Sequence, residues 1–100
     1  MKISDIFEEV LARPELLLGI ASVSRLKAFM DGYRLAAERA DPSIDQKLYC
    51  GFYNWVREKY RINTSHAWAD IVLFMSGNDE KRAIDLTKEL WEKYKAESKI

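Results

Sequence analysis

Residues 48–75 read LYCGFYNWVREKYRINTSHAWADIVLFM, from Leu48 to Met75, and this stretch decides the fold. It holds seven of the chain's twelve aromatic residues together with Cys50 and His66, the only cysteine and the only histidine. In its first half Leu48, Phe52, Trp55 and Val56 recur at helical spacing on one face. Tyr49, Tyr53 and Tyr60 continue around the flank and widen the apolar arc to about 160°. The second half, His66 to Ser76, is apolar nearly all round, with only the His66/Asp70 edge polar. A helix of that kind belongs at the centre of a small fold. Between the halves, Arg61-Ile-Asn-Thr-Ser65 breaks the periodicity, and Asn63, Thr64 or Ser65 can cap the helix that follows.

Outward from this stretch the helical period persists. Ser4 can cap a first helix whose stripe is Ile3, Ile6, Phe7, Val10 and Leu11. Pro14 disfavours the helical conformation at Arg13 and should end it there. A short helical turn from Pro14 stops at Gly19, and Ser22 or Ser24 caps a one-sided helix carrying Leu26, Phe29, Met30, Tyr33, Ala36, Ala37 and Ala40. Gly32 lies at the edge of that face and marks an expected close helix crossing, since glycine inside a helix otherwise costs about 1 kcal/mol against alanine. Asp41-Pro42-Ser43 reads as a turn, with Pro42 or Ser43 opening the helix that runs to about Tyr60. Gly77 suits a left-handed helix end, and Asn78, Asp79 and Glu80 supply a cap and first-turn acids for a last helix with the stripe Ala83, Leu86, Thr87, Leu90, Trp91 and Tyr94. No alternating strand, repeat or linker is visible. The expectation is one all-α domain over residues 1–100, a compact bundle of about five helices with a central apolar fourth helix.

Composition narrows the function classes. One hundred residues can bury roughly two-thirds of their extended area, enough for a modest core without metals or disulfides. Sixteen basic and sixteen acidic residues cancel and are interleaved, so no overall field gathers a polyanion, and nucleic acid is not an expected partner. A helix-turn-helix reading fails too, because Ala67 to Met75 offers no Arg, Lys, Asn or Gln to reach base edges. A lone cysteine fits a reducing compartment, and Met1-Lys-Ile-Ser-Asp lacks the order of a secretory signal. The longest uninterrupted apolar run, Ile71 to Met75, is too short for a membrane span. The cytoplasm is the expected location, with no membrane partner.

Little in the chain points to catalysis. His66 and Asp70 are spaced to pair on one helical edge, and Cys50 could be set beside them as a nucleophile, giving a His/Asp-dependent hydrolase. Cys50, however, sits mid-helix without the strained turn or helix start that activates a thiol. One histidine without a ligand cluster argues against a metal site, and neither GxGxxG nor GxxxxGK[ST] is present, so no cofactor is expected. The aromatic flank is the more informative feature. Tyrosines there can bridge core and solvent, or can form a contact surface at low entropic cost. Tyr49, Tyr53 and Tyr60, with Arg57 next to them and His66 and Asp70 at the neighbouring edge, are therefore the candidate partner-binding residues.

Three landmarks occur together: Arg13-Pro-x-x-Leu-x-Gly19 followed by Ser24-Arg-Leu-Lys-Ala-Phe-Met-Asp-Gly-Tyr33; Phe52-Tyr-Asn-Trp-Val56; and Ser65-His-Ala-Trp68 leading into Ile71-Val-Leu-Phe74. Over roughly residues 5 to 95 they resemble small bacterial immunity proteins of polymorphic toxin systems. The resemblance implies a non-enzymatic protein that binds and neutralises one cognate toxin, with no chemistry of its own. The alternatives from other classes are a small homodimeric structural or adaptor protein and the His/Asp-dependent hydrolase.

Overall fold

Proline and glycine set the first boundaries in the computed structural model, which describes residues 2–62 and 66–98. The caps expected at Asn63, Thr64 and Ser65 lie outside the described residues. α1 spans Ile3–Ala12 and ends before Pro14, which opens the short α2, Pro14–Leu18. Gly19 then takes a left-handed φ of 87°. The segment expected as a single turn is thus a helix in its own right. Ser22 caps α3, Val23–Ala40, accepting the Arg25 amide at 3.1 Å. α4 spans Lys47–Tyr60 and ends on Arg61, whose φ of 54° is left-handed. α5 spans Trp68–Met75 and α6 Glu80–Ser98. Gly77 is left-handed as expected, with Asn78 following it there, and Asp79 Oδ1 accepts the Lys81 and Arg82 amides at 3.0 Å ahead of α6.

All the described elements are helical, and the bundle closes around an aromatic centre. Phe7 of α1 and Phe52 of α4 each meet Trp68 of α5 with centroids 5.6 Å apart, and each meets Trp91 of α6, at 4.8 Å and 5.2 Å. The polar tips of these rings find partners at the rim, as buried Trp and Tyr require. Trp91 donates to Glu8 Oε2 at 2.7 Å, Trp55 to Glu97 Oε1 at 3.0 Å, and the Tyr94 hydroxyl to the Leu48 carbonyl at 2.6 Å. Gly51 makes the last of these contacts feasible, because a Cβ there would overlap the Tyr94 hydroxyl. α5 packs against α3, α4 and α6, the central place its composition implied.

Several local expectations are corrected. Ser4 does not cap α1: the helix begins at Ile3, Ser4 is buried, and Asp5 instead accepts the Lys2 amide at 3.0 Å. α4 begins later than Pro42 or Ser43, because Asp41 captures the Ser43 amide and hydroxyl at 3.0 and 2.7 Å and holds a turn. Gly32 marks no close crossing, since a Cβ there would meet open space. Only Val23, Leu26 and Met30 of α3 are buried; Phe29 stacks on Tyr33, 6.2 Å away, and Ala36 and Ala40 face solvent, where no helix covers them. α5 is central at its start and open at its end: Trp68, Ala69, Ile71 and Val72 are buried, whereas Phe74 is 69% and Met75 41% exposed.

Candidate protein interface

α4 is rotated relative to the face expected from its apolar residues. Its buried stripe is Tyr49, Phe52 and Val56, with Leu48 and Trp55 on one shoulder and Tyr53 and Tyr60 on the other. Tyr49 therefore leaves the list of contact residues. It is 4% exposed, its ring stands edge-on to Phe7 at 5.0 Å, and its oxygen accepts the Trp68 indole N–H at 3.3 Å. α1 covers the flank on which Tyr49 was expected to be free. Burial pushes its hydroxyl up to about 12, so it stays protonated at neutral pH. Tyr60 is half-buried against the core, and burial raises its hydroxyl as well.

The remaining candidates gather where α4 ends and α5 begins. The Tyr53 hydroxyl donates to the His66 carbonyl at 2.8 Å, tying α4 to the residues just ahead of α5. The Arg57 guanidinium lies over the Tyr53 ring, 5.4 Å from its centroid, and its Nε is buried with no acceptor among the described residues. Such an orphan donor costs on the order of 1–3 kcal/mol. Arg57 and Arg61 line a notch of about 240 Å³ with Asn54, Glu58 and Ile62. Neither arginine is ion-paired to a carboxylate among the described residues. Ile62 also lines a larger, mainly apolar cleft of about 530 Å³, shared with His66, Asp70, Ile71, Leu73, Phe74 and Asn78. His66 and Asp70 are both exposed at this cleft, but α5 begins at Trp68, so His66 precedes the helix and does not share a helical edge with Asp70 as their spacing had implied.

Cys50 lies elsewhere. It faces a separate cleft of about 370 Å³ with Arg34, Tyr49, Tyr53 and Trp68 among its walls, and it shares no lining residue with the His66/Asp70 cleft. Arg34 Nε donates to Gln46 Oε1 at 2.9 Å and Nη2 to the Cys50 sulfur at 3.3 Å, while its guanidinium covers the Tyr49 ring. The Cys–His–Asp constellation is thus not assembled in one cleft. Among the described residues no three of His, Cys, Asp and Glu come together to hold a metal ion, and no helix is long and apolar enough to cross a membrane.

The residues missed from sequence are Ile62, Phe74, Met75 and Arg61. A signal for Phe74 and Met75 did exist: an eight-residue helix apolar on every side but that of Asp70, ending at a Gly77 turn, has more apolar surface than its neighbours can cover at both ends. A further exposed apolar group, Leu16, Leu17 and Ile20, lies on and just after α2. No family model, curated protein or solved structure matches the chain significantly.

Proposed function

We propose that this chain is a protein-binding domain that acts through the surface where α4 ends and α5 runs out. The observation that carries the reading is Phe74. A phenylalanine left 69% exposed beside a mainly apolar cleft gives up burial worth roughly 2 kcal/mol, which a bound partner would recover. The neighbouring groups suit recognition: His66 and Asp70 supply polar positions in the cleft itself, and Arg57 lines the adjoining notch with its guanidinium over the Tyr53 ring.

At the finer level we propose an immunity protein that neutralises a cognate bacterial toxin inside the producing cell. That identity rests on the three landmarks at residues 13–33, 52–56 and 65–74, and on a surface that needs a partner more than it needs a substrate. The test is to co-express the chain with the product of the adjacent open reading frame. A one-to-one complex by light scattering, together with relief of that product's toxicity, supports the assignment. Separate elution and unrelieved toxicity remove it. A homodimer is the second reading, favoured by Leu16, Leu17 and Ile20, whose exposure on and just after α2 offers a self-complementary contact. A mass that doubles with concentration in the absence of any partner would support it.

A further inference from the structure

The notch and the cleft are two halves of one surface, because Ile62 forms a wall of both. On one side of Ile62 stand Arg57 and Arg61, two cations that share one notch and have no carboxylate partner among the described residues. On the other side an apolar cleft ends at the exposed Phe74 ring. Deepening the protein-binding reading, on which this step rests, we propose that the partner segment is acidic and apolar together: a large apolar side chain seated against Ile62, Ile71 and Phe74, flanked by carboxylates that reach Arg57 and Arg61.

Charge complementarity selects this occupant. A planar guanidinium lying on an aromatic ring keeps its outer N–H edge free to pair with a carboxylate, so Arg57 on Tyr53 is already oriented for that contact. Arg61 is placed beside it by the left-handed turn that ends α4. Glu58 in the notch and Asp70 in the cleft limit how many acids the surface accepts and favour carboxylates on the arginine side of Ile62. Nucleic acid fits less well, since an apolar cleft bearing Asp70 adjoins the two arginines and would repel a phosphate chain passing over it.

The probe is a fluorescein-labelled synthetic peptide, Gly-Glu-Glu-Trp-Leu-Glu-Gly, compared with its glutamine counterpart and with a counterpart carrying alanine in place of Trp and Leu. Amide NMR shifts at Arg57, Arg61, Ile62, Asp70 and Phe74 locate the site. The acidic peptide should bind at least about fivefold more tightly than the glutamine one, and the preference should shrink as salt is added. Arg57→Gln with Arg61→Gln should remove the preference, while Phe74→Ser should weaken both peptides with the protein still melting like the parent. Equal affinity for the glutamine peptide, no binding at millimolar peptide, shifts confined to other helices, or tighter binding of a single-stranded oligonucleotide would overturn the inference. A complex with the neighbouring gene product that is indifferent to the double arginine variant would overturn it too, while leaving the protein-binding reading intact.

Discussion

Tyr53 donates its hydroxyl to the backbone carbonyl of His66 at 2.8 Å, so a side chain that resembles a free contact residue in the sequence is a latch between α4 and the segment that leads into α5. Its loss should register in stability before it registers in binding. Tyr53→Phe is expected to cost about 1 kcal/mol in urea unfolding, the worth of one such bond. Tyr53→Ala should cost more, since it also strips the ring from beneath Arg57. An unchanged midpoint for the phenylalanine variant would show that the hydroxyl does not hold α5 to α4.

The two helical glycines should respond with opposite signs. Gly32 looks onto open space in the interior of α3, so Gly32→Ala should stabilise by about 0.5–1 kcal/mol. Gly51 has no such room: a methyl group would displace the Tyr94 hydroxyl from the Leu48 carbonyl. Gly51→Ala should therefore destabilise by about 1–3 kcal/mol despite its better helix propensity. Thermal melts of the pair read both outcomes.

Within α5 the same contrast falls between its ends. Trp68→Ala removes a 3% exposed ring from the centre and should cost about 3–5 kcal/mol, enough to unfold a domain of ordinary stability. Phe74→Ala should stay within about 0.5 kcal/mol of the parent, because its ring is already in water. A comparable loss in both variants would mean that Phe74 is packed after all.

Acid should loosen the bundle at two carboxylates. Burial alone would raise Glu80, but hydrogen bonds from the Ser24 amide and hydroxyl, at 2.9 and 2.7 Å, and from the Ser22 hydroxyl outweigh it and hold it below the usual glutamate value. Burial is likewise outweighed at Glu8 by the hydrogen bonds from Lys95 and Trp91. A group whose folded value is depressed contributes stability above its unfolded value and loses it as pH falls through the folded one. The melting temperature should therefore drop as pH falls below the usual glutamate range. Glu80→Gln should be less stable near neutrality and show a flatter acid limb.

Helix placement was legible at Pro14 and Gly19 around α2, at the cap of α3, where Ser22 rather than Ser24 serves, and at the left-handed Gly77, whereas the local rules misplaced the starts of α1 and α4. It was illegible where distant residues decide. Glu80 binds the start of α3 from 56 residues away, and no local pattern announces that partnership. The rotation of α4 follows the same logic, because Tyr49 turns inward only once α1 supplies Phe7 and α5 supplies Trp68. Of the candidate site residues, the wheel position of Arg57 next to Tyr53 was readable, as their contact shows. For Phe74 the sequence offered only an excess of apolar surface on α5, since which end stays uncovered depends on how the other helices pack against it.

The central claim is that this chain works by binding one protein through the Phe74 end of α5 and the arginine end of α4. Calorimetric titration against the product of the adjacent open reading frame, with parent and Phe74→Ser proteins matched for melting temperature, tests it most directly. A complex weakened by about 2 kcal/mol or more in the variant is the expected result. An equally tight complex in the variant, or no complex with the parent, would contradict it.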